Sequence, residues 1–451
     1  MNRCSAIRLT IPNMNSCKST LTLLLGLAAL PLLAPAENWP QWRGPNFNGS
    51  SSETGLPTKF SKTENVAWTA PMSGPSAASP VVWEDSVFVS STDKTSKTIL
   101  AVCLERKTGA VRWQQKINDG YSRDDKSNYA SPSPVTDGKL VVFFYGNGDL
   151  VTFDFAGKEL WRRNLQKDYG DWAYQWTFSA SPTLFQGRLY VQVLQRDAEV
   201  HGKGKAGTES YLLALEPATG KELWRHVRPT DAKAESREAF STPLPYKHGE
   251  RWEMLILGGD MVSGHDPETG KEFWRWGTWN PTRIGHWRLV PSPVAGAGVV
   301  LACAPKKEPI IAVKLGGNGT LPDSAIAWKS EKPSPLTSDV PTPLFYQDDF
   351  FILSDGTKTL SRVEPATGKI KWTMTTPGTK KYEASPAGAD GKIYLLNFAG
   401  EVVVVDAAAG KVLLNTLLGE PGDNETRSAI AISQGQLFIR THAKLYCIGK
   451  P

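Results

Sequence analysis

The sequence predicts an all-β chain: an eight-bladed β-propeller of four-stranded antiparallel blades, with the last blade closed by the N-terminal strand. Three observations predict it. A Trp-ended repeat recurs along the chain, a second and unrelated signature also counts to eight, and the two ends of the repeat region are each incomplete.

The repeat is clearest in Ala214-Leu-Glu216-Pro217-Ala-Thr219-Gly220-Lys221-Glu-Leu-Trp224, with near-copies ending at Trp274 and Trp372. Looser copies end at Trp113, Trp161 and Trp328, Val66-Ala67-Trp68 is the tail of another, and Leu414 stands eighth. Successive copies lie 42 to 63 residues apart, the spacing of one supersecondary unit reused. Each copy has the chemistry of a hairpin turn. An acid accepts backbone N–H groups at the first turn position, and Pro217, Pro267 or Pro365 presets the next φ. A glycine then closes the loop, at Gly109, Gly157, Gly220, Gly270, Gly368 and Gly410. Apolar alternation on both sides marks the flanks as strands. Large and periodic, the tryptophans suit a wedge between neighbouring units.

The second signature opens each unit: Ser79-Pro80, Ser133-Pro134, Ser181-Pro182, Thr242-Pro243, Ser292-Pro293, Thr342-Pro343, Ser385-Pro386 and, eighth, Ser428-Ala429. A proline at the start of a strand costs no ladder hydrogen bond. The last unit has three strands before the chain stops after Leu445-Tyr-Cys-Ile448, and the first Trp strand has no unit before it. Joining them completes a blade and closes the ring, so no sheet edge is left open at the ends.

Residues 1–36 read as an export signal, residues 37–63 as an N-terminal arm, and residues 64–451 as the propeller. Arg3, Arg8 and Lys18 are the only charges in the first segment, Leu21 to Leu33 is apolar, and Ala34-Pro35-Ala36 is a small-x-small cleavage site. Met14 is an alternative start. The apolar run is short for a membrane span, and Glu37 rather than a lipid-bearing Cys follows the site. The expected mature protein is soluble and periplasmic or secreted, without a lipid anchor.

Removing that segment leaves 48 basic against 45 acidic residues, a net of +3. Basic and acidic residues are interspersed, so a nucleic-acid surface is not indicated. Cys103, Cys303 and Cys447 remain, with no Cys-x-x-Cys pair, and read as buried small residues. Cys103 and Cys447 take the small-residue position that Ala214, Gly264 and Ala312 take elsewhere. In the arm, Asn38-Trp-Pro-Gln-Trp-Arg-Gly-Pro45 presents Trp39 and Trp42, which need a surface to cover.

The Asp/Glu-x-x-Thr-Gly-Lys-x-x-Trp pattern resembles the docking motif of the quinoprotein-type propellers, the PQQ-like repeat family, over residues 65–450. Within it, the length is similar to the propeller subunit of the outer-membrane β-barrel assembly machinery. The Trp-Pro-Gln-Trp-Arg-Gly-Pro opening resembles exported bacterial PQQ-like repeat proteins. Arg362 and Val404 depart from the small residue, and Leu414 from the Trp.

Loops leaving each Trp strand for the next Ser-Pro strand converge on one face. They carry Arg123; Asp171, Trp172, Tyr174 and Trp176; Arg237; Arg283, His286, Trp287 and Arg288; Lys381, Tyr382 and Glu383; and Arg427. Aromatics mixed with Arg and acids suit recognition, while packing within the loops is the competing role for the same aromatics. His286 has no second ligand spaced with it and reads as a hydrogen-bonding contact.

No Gly-x-Ser-x-Gly or His-Glu-x-x-His occurs, and no catalytic residue or metal ligand is assigned. The expectation is therefore a non-catalytic scaffold binding a protein, peptide or glycan of the cell envelope, without a cofactor. The resemblance implies an alternative, a dehydrogenase of alcohols or sugars using pyrroloquinoline quinone (PQQ) with Ca²⁺. Its oxygen ligands would come from Asp171, Glu383, Asn424 and Glu425, although the adjacent cysteine pair of those enzymes is missing.

Overall fold

The Trp-ended repeats and Ser-Pro entries each become one sheet of a closed ring. A computed structural model describes Met1 and residues 37–450, with 123, 125 and 126 excepted. The export-signal expectation and Arg123 lie outside the described residues. Blade 1 is built from Val81–Trp83, Ser86–Asp93, Thr98–Glu105 and Val111–Asp119, paired antiparallel in chain order from the innermost strand outwards. Blades 2 to 7 repeat the plan over residues 135–164, 183–227, 244–276, 294–329, 344–375 and 387–417. Blade 8 takes Ala431–Ser433, Gln436–Arg440 and Lys444–Ile448 from the C-terminus and Val66–Pro71 from the N-terminal side. Trp68 there pairs with Cys447, which closes the ring.

Leu140–Phe144 is buried along its whole length and Glu401–Asp406 over its four central valines, whereas outer strands alternate exposed and half-buried. The small-residue position opposes the Trp in register: Cys103 faces Trp113, Ala214 faces Trp224, and Arg362 faces Trp372. Cys103, Cys303 and Cys447 are free and buried, and burial pushes the Cys103 thiol up to about 11.

Six of the indoles then reach into the next blade. A Cβ placed at Gly109, Gly157, Gly220, Gly270, Gly368 or Gly410 would stand 2.5–2.8 Å from the ring of Trp68, Trp113, Trp161, Trp224, Trp328 or Trp372 respectively. The same six indole N–H groups donate to carbonyls of that turn at 2.6–3.3 Å. Trp274 departs from the expected docking. Its N–H donates to Glu253 of its own blade at 2.7 Å, and the long turn of blade 5 instead lays Gly319–Thr320 parallel to the outer strand of blade 4.

The Ser-Pro entries are tied to one another around the axis. The N–H of Ser79 donates to Ser133 Oγ at 2.9 Å, that of Ser133 to Ser181 Oγ at 3.0 Å, and that of Ser181 to Thr242 Oγ1 at 3.1 Å. The relay continues through Ser292 and Thr342 to Ser385 at 2.8–3.0 Å. At the seam Ser428 Oγ donates instead to the carbonyl of Ala78.

First strands run from the loop face to the opposite face, and there the arm lies. Trp39 pairs with Val82, Thr136 N–H donates to Pro40, Gly388 exchanges bonds with Gly49 and Ser51, and Glu53 accepts from Gln434 and Gly435. Arg43 is buried and donates to the carbonyls of Pro343 at 2.8 Å and Pro386 at 2.7 Å. Loss of water pulls its guanidinium down to about 9. No helix among the described residues is long and apolar enough to cross a membrane.

Candidate functional site

A cavity of about 710 Å³ runs along the axis from Trp42 of the arm, past the Ser/Thr collar, to the loops that follow the Trp strands. Trp42 and the arm stopper one mouth of the channel. The other mouth is rimmed by those loops, so the channel is a blind funnel.

On one side of the funnel, Arg288 lies over the Trp176 ring at 5.8 Å and donates to Glu235 at 3.0 Å. The Trp176 indole donates to the same carboxylate oxygen at 3.1 Å, so one acid orients both side chains. Across the funnel, Arg427 stacks on Phe398 at 4.7 Å and bridges Glu383 at 2.8 Å and Glu425 at 3.2 Å. Exposed Lys381 and Lys380 line the mouth beside them. Asp355 accepts the N–H of Asp339, and burial, reinforced by the Asp339 and Glu383 charges, raises its carboxyl above the usual range.

Of the residues expected from sequence, the structure brings Trp176, Arg288, Lys381, Glu383 and Arg427 together. Others stand elsewhere. Trp172 and Tyr174 are almost wholly buried and pack on Phe178, the first tilted and the second edge-to-face, in the core between blades 2 and 3. Trp287 packs into the core of blades 4 and 5, and buried Tyr382 donates to the Pro377 carbonyl at 2.7 Å. These four serve packing, because loops that must bend back to the axis need apolar anchors beneath them. Arg237 pairs with Asp197 and Arg283 with Asp231 and Asp260, away from the funnel lining. Asp171 and His286 are exposed and outside it.

Sequence reasoning did not single out Trp42, Phe240, Asp339, Asp355, Phe398 or the hydroxyls of the Ser-Pro signature as funnel residues. The signature itself was visible. What it lacked was a reason to read its hydroxyl as well as its proline.

A Ca²⁺-bound quinone needs several convergent oxygens from carboxylates and amides. Among the described residues no three His, Cys, Asp or Glu side chains stand together as a cation site. Glu383 and Glu425 are engaged by Arg427, and Asp355 by a backbone N–H. As placed, these residues do not compose that cage.

Three solved structures share the ring. A europium-containing methanol dehydrogenase superposes with a TM-score of 0.66 at 10% identity, over 92% of this chain and 98% of its own. The quinohemoprotein alcohol dehydrogenase from Comamonas testosteroni gives 0.60 at 12%, over 92% and 81%. BamB from Moraxella catarrhalis gives 0.57 at 12%, over 85% and 99%. At such identities the likeness is one of fold. No curated protein matches the sequence. The profile of the family described as outer membrane protein assembly factor BamB matches residues 52–172, 99–321 and 258–450. Matched over nearly all of its eight blades, the chain belongs to that family of PQQ-like repeat propellers.

Proposed function

We propose that this chain is an exported, non-catalytic propeller that binds a partner of the cell envelope at its axial funnel and loop rim. The observation that carries the reading is the blind funnel itself. Trp42 stoppers one mouth, and the other presents Trp176, Phe398 and paired arginines. Half-exposed aromatics held by ion pairs give a rigid contact surface at low entropic cost, the pattern of binding hot spots. BamB-like propellers appear among the matches, which supports a protein-binding role in envelope assembly. The likeness to quinoprotein dehydrogenases supports the alternative through fold alone.

The test places a photo-crosslinking residue at Lys381 and, as a control, at Leu160 on the outer edge. An adduct with an envelope component formed at Lys381 and absent at Leu160 is the expected result. Dye-linked alcohol oxidation that turns over on addition of PQQ and Ca²⁺ would overturn the non-catalytic reading.

A further inference from the structure

We infer that the funnel is an oligosaccharide site, with Trp42 as its floor and the Ser/Thr collar as its wall. The inference rests on the binding reading above and names its ligand.

The first support is the state of the collar hydroxyls. Ser133, Ser181, Thr242, Thr342 and Ser385 all line the cavity, and each already accepts a backbone N–H from a neighbouring blade. None of the five donates its own hydroxyl proton to a protein group among the described residues. The wall is therefore a ring of fixed oxygens with protons left for a ligand rich in acceptors.

The second support is the pair of indoles. Trp42 and Trp176 are both half-buried and both line the cavity, one at the floor and one near the rim. An aromatic face against the C–H face of a pyranose, with hydroxyl groups around it, satisfies both halves of a sugar's surface.

Charge and backbone argue against the other ligand classes. Among the described residues four basic and four acidic side chains line the funnel, so neither sign of charge prevails among them. An extended peptide adds to a free strand edge, but first-strand groups at the closed end are taken by the arm, as at Val82 and Gly388. A volume of about 710 Å³ lies within the range of small-ligand sites, about 300–1,000 Å³.

The experiment titrates the mature protein with cellotetraose, chitotetraose and xylotetraose, and with tetra-alanine as the peptide probe. Calorimetry and tryptophan fluorescence follow binding. Saturable binding of a tetrasaccharide is expected, with at least tenfold weaker affinity in Trp42→Leu and Trp176→Leu variants that keep the wild-type melting profile. Should either variant fail to fold, protection of the Lys381 crosslink by the sugar in an otherwise unaltered chain decides the point. Binding of the peptide alone would overturn the sugar assignment and leave the binding reading intact. No binding of any probe at about 10 mM, together with no crosslink at Lys381, would overturn both.

Discussion

Gly220 lies directly against the indole of Trp161. A Cβ there would come to 2.6 Å from the ring, and Trp161 Nε1–H donates to the Pro217 carbonyl at 2.8 Å. The turn of blade 3 is thus a socket for the tryptophan of blade 2. Gly220 also sits at φ +71°, a conformation side chains resist. Gly220→Ala is expected to destabilise by about 2–4 kcal/mol through strain and overpacking together. Urea unfolding checks it, and Gly187→Ala at a turn with open space around it serves as the strain-only comparison.

Arg43 makes the second prediction. Its guanidinium satisfies carbonyls on two blades and on the arm, at Pro343, Pro386 and Asn48. Arg43→Met keeps the length and removes every donor, leaving buried carbonyls unpaired. The expected loss is about 2–4 kcal/mol. Limited proteolysis should then cut the arm before the blades.

The collar gives a third. Ser181→Ala deprives the Ser133 N–H of its acceptor and should cost about 1–2 kcal/mol. Ser181→Thr keeps an oxygen in place and should recover most of it. Equal melting temperatures for Ala and wild type would show that the relay contributes nothing to stability.

Glu238 sets a pH dependence. Its carboxyl is fully buried, and loss of water raises it to about 7 against the opposing pull of Arg196 and the Gln175 N–H. Glu235 and the Tyr174 phenol are the other titratable groups that face it. A raised carboxyl holds its proton longer in the folded state. The stability it contributes is full below the unfolded value of 4.5 and is lost as pH rises through about 7. Wild type should lose on the order of 3 kcal/mol from this group across that window. Glu238→Gln should flatten the slope; an unchanged slope in chemical denaturation would assign it to other groups.

Much of this molecule was legible before folding, and the reason is periodicity. Hairpin turns, strand alternation and the Trp that docks on the next turn all act between residues a few dozen apart, so each leaves a mark that recurs with every blade. Blade number and closure at Trp68 and Cys447 follow from counting those marks. Where the period failed, in the long turn of blade 5, the docking of Trp274 was misread for the same reason.

The funnel left no such mark. Arg43 and Pro386 are 343 residues apart and meet because both lie next to the axis, which no local pattern encodes. Trp172 and Trp176 sit four positions apart in one loop, yet the first packs a core and the second lines the cavity. By itself the sequence determined the ring, its blade count and the sockets that join its blades, because those depend on neighbours. Tertiary structure alone decided which side chains reach the axis, which mouth the arm closes and where the hydroxyls gather, because convergence at a centre belongs to the closed ring as a whole.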